Sequence, residues 1–411
     1  MDRRTRLADP MATQQLTREE ELHWLALKLI PGLGTRKAGQ LIERFRTPQA
    51  VFRSSISELE AAGASPGVAR NISSGCSFED AVLQQERMAA SGAVAIPISD
   101  PRYPPMLREI FDPPILLFAR GRVELLSRVM IGVVGTRRPS TYGMAVADRL
   151  SGDLSAAGLV IASGMARGID TSAHRASLRA GGDTVAVFGC GVDVLYPSEN
   201  RKLSNDIAEK GLLLSEFPMG APAFPQNFPV RNRIISGMSV GVLVVEGAQY
   251  SGSSITARLA LDQGRDVFAV PGNVTSKMSW GPNLLIKQGA KLVQDWNDVV
   301  VELAPDVRLR LLQVTQGRLG EEGASDAGGE PVQASLPLGP MAEIARRVLA
   351  ELKVDSPVPI DNLLETLENC SSSELIATLF ELEMLGMIRQ LPGKNFVKIW
   401  QDGVCGSSHS R

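Results

Sequence analysis

Through the middle of the chain the apolar residues come in short unbroken runs: Val129–Gly135, Leu159–Gly164, Thr184–Gly189, Leu212–Phe217, Val240–Glu246 and Asp266–Val270. Each is rich in Val, Ile and Leu, and amphipathic stretches separate them. A strand needs apolar residues on both faces only when both faces of its sheet are covered. Six such runs alternating with helical patterns predict βαβ units and an α/β fold, a Rossmann-like, doubly wound, mainly parallel sheet. Residues 92–128 are a Pro-rich approach with two further apolar pieces, which either add strands or pack against the sheet.

On either side of this region the period changes to that of a helix. Leu22, Leu25, Ala26, Leu29 and Ile30 precede Pro31-Gly32-Leu33-Gly34-Thr35, and Ala38, Leu41, Ile42 and Phe45 follow it. A helix, a Gly-hydrophobic-Gly turn and a second helix predict an N-terminal helical (helix-hairpin-helix/SAM-like) domain, with a weaker echo between Gly63 and Gly67. Such a turn exposes backbone N–H groups that can hold a phosphate. The same glycines equally serve a plain αα-hairpin.

Towards the C-terminus, Ile344, Val348, Leu349 and Leu352 make one helix face, and Leu363, Leu364 and Leu367 another. Ser371 with Glu374 reads as a capping box opening a third helix with Leu375, Ile376, Leu379, Phe380 and Leu382 inward. A hairpin around Pro392-Gly393 follows. Three helices and a hairpin predict a C-terminal winged-helix domain. Its third helix carries Ser and Glu rather than Arg or Lys, which argues against strong DNA reading and leaves a protein contact open. The expected organisation is a disordered extension (1–17), the helical domain (18–80), the Rossmann-like domain (81–304), a flexible linker (305–338), the winged helix (339–400) and a disordered tail (401–411).

Composition narrows the function classes. Of 411 residues, 44% are hydrophobic, enough for full cores, and the formal net charge of −2 weakly opposes a nucleic-acid binder. A local basic rim is not excluded by net charge, so the placement of arginine matters more. Cys76, Cys190, Cys370 and Cys405 show no CxxC spacing and His23, His174 and His409 are scattered, so neither a metal site nor a disulfide framework is expected and a cytoplasmic location fits. No apolar run reaches the roughly 18 residues of a membrane span. The opening MDRRTRLADPMATQQ lacks a signal core, and Met11 is an alternative start.

Ligands of open α/β sheets bind beyond the carboxyl ends of the strands. Those ends carry Gly135-Thr136-Arg137, then Gly164-Met165-Ala166-Arg167-Gly168 with Asp170, then Asn200-Arg201-Lys202, then Arg231-Asn232-Arg233, then Ser251-Gly252-Ser253. Glycines let a phosphate approach the backbone, and arginine adds a permanent charge with a planar donor fork. Six cations on one rim exceed what a mononucleotide needs and suit a polyanion. Arg231 and Arg233 read alternatively as internal salt-bridge partners. Asp170 reads as a helix N-cap before a catalytic acid, and His174 as a packing residue. Gly189-Cys190-Gly191 lacks a third glycine at dinucleotide spacing and no P-loop is present, so no cofactor is expected.

These motifs, in combination and order, resemble one family. Gly135-Thr-Arg137, Ser163-Gly-Met-Ala-Arg-Gly-Ile-Asp170, Tyr196-Pro-x-x-Asn200, Phe228-Pro-x-Arg-Asn-Arg-Ile234, Ser251-Gly-Ser253, Pro271-Gly272 and Gly281-Pro-Asn-x-Leu-Ile-x-x-Gly-Ala290 look like the signature of the DNA-processing protein A (DprA/Smf) family, over about residues 95–295. The resemblance implies binding of single-stranded DNA in a basic pocket, a homodimer, handover of the strand to RecA recombinase during natural transformation, and no catalysis. It places Arg137 and Arg167 on the DNA backbone, with either Arg201 or Lys202 as a further contact. The competing reading is a nucleotide phosphoribohydrolase or a nucleotide sensor on the same fold. The hydrolase signature Pro-Gly-Gly-x-Gly-Thr-x-x-Glu is replaced here by Glu246-Gly-Ala-Gln-Tyr-Ser-Gly-Ser-Ser-Ile-Thr-Ala, without the closing glutamate. A pure protein-interaction scaffold is a third reading, which predicts no DNA affinity.

Overall fold

A computed structural model describes residues 16–249, 251–311, 342–352, 358–367, 375, 378–379, 382, 388–391 and 395–398. They fall into two compact units divided after Ser325. The expected extension at 1–15, most of the linker, the capping box at Ser371 and Glu374, the turn at Pro392-Gly393 and the tail at 401–411 lie outside the described residues.

The first unit opens with six helices, α1 (Arg18–Lys28), α2 (Thr35–Phe45), α3 (Pro48–Arg53), α4 (Ile56–Ala61), α5 (Pro66–Ser74) and α6 (Phe78–Ser91). Local chemistry starts them: Thr17 and Glu20 close a capping box on α1, and Ser55 with Glu58 does the same on α4. Gly32, at φ +80°, makes the turn between α1 and α2. The expected division at residue 80 falls inside α6. Trp24, Leu25 and Leu27 of α1 and Met88 of α6 share one apolar cluster with Phe118, Phe188 and Leu213 of the sheet. The helical layer therefore covers one end of the sheet.

Nine strands form that sheet: β1 (Val94–Pro97), β2 (Leu116–Gly121), β3 (Met130–Val134), β4 (Val160–Ser163), β5 (Thr184–Phe188), β6 (Leu212–Ser215), β7 (Gly241–Val244), β8 (Asp266–Ala269) and β9 (Lys291–Leu292). Their spatial order is β1-β2-β6-β5-β4-β3-β7-β8-β9. All six runs read as strands are parallel neighbours. The two apolar pieces of 92–128 do add strands, β1 and β2, antiparallel at one edge. The helices between them are α7 (Pro105–Arg108), α8 (Thr141–Ala156), α9 (Ile169–Arg179), α10 (Arg201–Lys210), α11 (Asn227–Gly237), α12 (Gly252–Asp262) and α13 (Trp280–Lys287), and α14 (Asn297–Val300) follows β9.

Alternate residues of each strand enter different cores, as the pleat requires. Ile131 and Val133 of β3 join Ile161, Leu243 and the α8 residues Ala147 and Leu150 on one face. Val134, Val160, Val187 and Val244 join Ile234 of α11 and Ala257 of α12 on the other. One expectation needs correction: residues 305–311, the start of the segment read as flexible, are helical. Leu311 is buried in the α8-side core and Val307 packs against it, an i, i+4 pair that gives this stretch an apolar face.

In the second unit, α15 (Ala342–Glu351) and α16 (Ile360–Thr366) accompany a sheet of β10 (Val358–Pro359), β12 (Asn395–Lys398) and β11 (Ile388–Leu391), in that spatial order. The expected hairpin is the antiparallel pair Ile388↔Lys398 to Leu391↔Asn395, and β10 adds a third strand. Ala345, Val348, Leu363, Leu375, Leu379, Leu382, Ile388 and Phe396 form its core. This is a winged-helix arrangement.

Candidate functional site

The strand order reverses at β3. From there the chain builds outward to β4, β5 and β6 on one side, then returns to lay β7 and β8 on the other. The carboxyl ends of β3 and β7 therefore diverge into loops on opposite sides, which opens a crevice between them. Two connected cavities occupy this place. The outer, of about 760 Å³, is lined by Gly135, Thr136, Arg137, Arg138, Asn232, Ser251, Gly252 and Ser253 among others. The inner, a narrow cleft with about 20 Å³ of free space, is lined by Arg137, Gly164 to Arg167, Phe188, Gly189, Cys190, Tyr196, Pro197, Phe228 and Arg231. Arg137, Ala166, Tyr196, Phe228 and Arg231 belong to both.

Arg137 and Arg138 are exposed on the loop after β3. The guanidinium of Arg137 lies 5.5 Å from the Phe228 ring centre, that of Arg231 lies 6.0 Å from it, and the Tyr196 ring is 5.3 Å from Phe228. Two cations and two aromatic rings thus meet at the join of the cavities. The loop after β3 is fixed from β7. The Thr136 N–H donates to the Glu246 carbonyl at 2.7 Å, and the Ser140 N–H and hydroxyl donate to the Glu246 carboxylate at 2.9 and 2.6 Å.

The loop after β4 is held from beneath by Asp170. It is not the N-cap of α9, a place taken by Gly168 at φ +79°. Its carboxylate instead accepts the Gly164 and Ala166 N–H groups at 3.1 and 3.3 Å. The N-cap expectation fails because α9 starts one residue before Asp170, so the side chain turns back to the strand end. Burial raises the Asp170 carboxyl above its ordinary range, opposed by Arg231 and these two amides. Met165 sits at φ +57°, a costly conformation for a non-glycine residue. Asn200, itself buried, donates to the Met165 carbonyl at 3.0 Å and to Thr171 at 2.8 Å. Asp170 and Asn200 thus shape the loop rather than face the cavity with free groups.

Arg231 is 4% exposed. One terminal N–H donates to the Val187 carbonyl at 2.5 Å, while Nε has no hydrogen-bond partner. Burial pulls its guanidinium down to about 10, opposed by Asp170. The absence of a side chain at Gly164 is required here, since a Cβ would stand 2.0 Å from an Arg231 terminal nitrogen. Nearby His174 is fully buried, bonded through Nδ1 to Thr184 at 2.7 Å, and burial takes its imidazole down to about 3. Buried Cys190 is pushed up to about 11 by burial, so its sulfur stays a thiol.

The remaining sequence-predicted residues divide. Arg167 is exposed and pairs with the equally exposed Glu199 at 2.5 Å. Arg201 and Lys202 are exposed at the start of α10, outside both cavities. Arg233 does not join the others. It is buried against Glu216 at 2.5 Å, and its Nε stands 3.2 Å from an Asp112 oxygen without hydrogen-bond alignment. Sequence reasoning did not place Tyr196 and Phe228 in the site, although each opens one of the motifs, Tyr-Pro-x-x-Asn and Phe-Pro-x-Arg, and that signal was available. Among the described residues no cluster of His, Cys, Asp and Glu could hold a metal ion, and no helix is long and apolar enough to cross a membrane.

Comparison with known proteins agrees with this architecture. The family described as DNA recombination-mediator protein A matches residues 94–304, and the DprA winged helix domain matches residues 332–394. A protein of Synechocystis named Smf is 31% identical over 93% of this chain and 99% of its own length. The DNA processing protein DprA of Bacillus subtilis is 47% identical over 52% of this chain and 72% of that protein. The X-ray structure of DNA processing protein A from Streptococcus pneumoniae superposes with a TM-score of 0.63 at 36% identity, over 71% of this chain and 99% of that one.

Proposed function

This chain belongs to the DNA-processing protein A (DprA/Smf) family, and from that premise we propose that it is a non-catalytic, cytoplasmic protein that holds single-stranded DNA in the switch-point cavity. The observation that carries this reading is the convergence of Arg137 and Arg231 on the Phe228–Tyr196 ring pair. Cations suit phosphates, and exposed ring faces suit unstacked bases. Only a single strand offers both at once, because a duplex keeps its bases paired and stacked inside.

Arg137, Arg138 and Arg167 take the phosphates, helped by the backbone at Gly135, Thr136, Asn232, Ser251, Gly252 and Ser253. Arg201 and Lys202 extend the track along α10. Gly164, Met165, Ala166, Gly168, Asp170 and Asn200 set the shape of the wall. Arg233 supports α11 from its other side. The family likeness supports a homodimer that passes the strand to RecA during natural transformation, with no cofactor and no turnover. The hydrolase reading gains nothing from the site. Asp170 is the acid that lines the outer cavity, and its Oδ2 already accepts two backbone amides.

Fluorescence anisotropy with labelled single-stranded and duplex oligonucleotides, across salt, tests this. Preference for the single strand with a steep salt dependence is expected. Arg137→Ala should weaken binding about tenfold and reduce the salt slope by about one. Binding of neither DNA form by the wild-type protein would end the proposal.

A further inference from the structure

Exposed cations stand around the mouth of the site: Arg137 and Arg138 after β3, Arg167 after β4, and Arg201 and Lys202 at the start of α10. An acid, Glu199, stands among them. It belongs to the short turn Ser198–Asn200 that joins Tyr196-Pro197 to α10. Its Oε1 accepts from two donors of Arg167, Nε at 2.9 Å and Nη2 at 2.5 Å. Its Oε2 accepts from the Ser198 hydroxyl at 3.4 Å. Arg167 lines the inner cleft from the loop after β4, and Tyr196 and Pro197 line it from the loop after β5. The pair therefore ties the two loops at the edge of the cleft. Both side chains are 57% exposed, and a pair so wet does little for the stability of a fold. What it does control is the guanidinium. Nε and Nη2 form one donor edge, and carboxylate and phosphate oxygens fit that edge in the same way. The edge that would meet a phosphate is taken by Glu199.

We propose that Glu199 is an affinity-determining residue of the single-strand site: it occupies the donor edge of Arg167 in the free protein, and a backbone phosphate of the bound strand displaces it. This rests on the single-strand reading above and names a residue that sets how tightly that site holds its ligand. The exchange replaces one charge-assisted pair by another, so its net gain is smaller than that of a phosphate meeting an arginine such as Arg137, whose neighbour is the Phe228 ring. Glu199 thus acts against binding from within a basic rim. A lone phosphate has little to gain from the exchange. A strand already anchored at Arg137 and Arg138 presents its next phosphates to Arg167 at high effective concentration, and so completes it. The acid leaves the rim able to hold a chain of phosphates while lowering its hold on single ones.

The experiment uses the full-length protein and a labelled oligo-dT strand, read by anisotropy at fixed low salt. Glu199→Gln keeps the shape of the side chain and removes its charge. It should bind the strand about threefold more tightly than the wild type. Glu199→Ala, a second variant at this exposed position, should show the same gain. Loss of any nearby negative charge could tighten binding through space, so both measurements are repeated in an Arg167→Ala background. There the gain should fall to a ratio of about one, because the edge that Glu199 competes for is gone. Unchanged affinity in the Glu199 variants overturns the inference. Weaker binding overturns it too, and would mean that the carboxylate holds Arg167 in place for the strand. A gain of equal size without Arg167 also overturns it, by reducing Glu199 to a distant charge. No binding of any strand by the wild-type protein instead removes the underlying function.

Discussion

Arg231 and Arg233 stand two residues apart on α11 and face two different regions. On the cavity side, Arg231 has a backbone carbonyl, the neighbouring charge of Asp170 and an open pocket. On the other side, Arg233 is enclosed with Glu216 and Asp112, where α11 meets the end of β6 and the loop before β2. The difference lies in the counter-charge each guanidinium meets. Arg233 has its counter-charges within the fold and so serves stability. Both keep donors without a hydrogen-bond partner, Nε of Arg231 and Nε and Nη1 of Arg233; Arg231 differs in having no carboxylate bonded to it and in lining the inner cavity. Burial alone does not separate these roles, since both residues are buried; the partners do.

The largest expected effect breaks the Arg233 side. Glu216→Ala leaves a buried guanidinium with only the partly exposed Asp112, and should lower unfolding free energy by about 3–5 kcal/mol. Urea denaturation measures this. A loss below about 1 kcal/mol would show that Arg233 is not held by its ion pair, and the contrast between the two arginines would collapse.

A smaller effect sharpens the cavity side through its pH response. His174 is held at about 3 in the fold, against about 6.5 when unfolded. Between those values the unfolded chain binds more protons than the folded one, so stability rises with pH. The contribution is whole above about pH 6.5 and is lost as pH falls towards 3. At pH 5 the loss is about 2 kcal/mol by linkage. His174→Gln should flatten this part of the stability profile, measured as the urea midpoint from pH 7 to 5, and an unchanged acid slope would refute the assignment.

The smallest effect concerns the rim. Arg167→Ala removes an exposed ion pair with Glu199 and should change stability by less than about 0.5 kcal/mol. Its affinity for single strands should nonetheless fall several-fold. A variant that loses stability but not affinity would move Arg167 into the same structural class as Arg233.

Much of the sheet was legible because its signals are local. Six short apolar runs ending near glycine gave the six parallel strands, and the residues at their carboxyl ends gave most of the cavity lining. The edge strands were harder. β1 and β2 lie in a Pro-rich segment whose pieces fit either a strand or a packing loop, and β9 has only two residues. The helical start of 305–311 was hidden by the polar, Gly-rich sequence that follows it. Within the site, Arg231 and Arg233 were both assigned to the pocket because they share one motif. Helix geometry argued against that. Residues two apart point to nearly opposite sides, and only i+3 or i+4 neighbours share a face. Asp170 was misread because its role, returning to the amides of the strand end, depends on where the helix begins to within one residue, the detail that sequence signals place worst.

The pairing of β3 with β7 also bears on how the protein comes into being. Val134 pairs in register with Val244, and its carbonyl accepts from the Val245 N–H, so the two walls of the outer cavity are made by segments that leave the ribosome about 110 residues apart. At a synthesis rate of about 5–20 residues per second, the first wall waits roughly 5–20 s for the second. During that interval the strands β4 to β6 can assemble on one flank of β3 while its other flank stays open. A nascent chain, or a fragment cut before β7, therefore has a half-built sheet and lacks the Ser251–Ser253 wall of the outer cavity. The outer wall arrives last, with the closing of that one ladder.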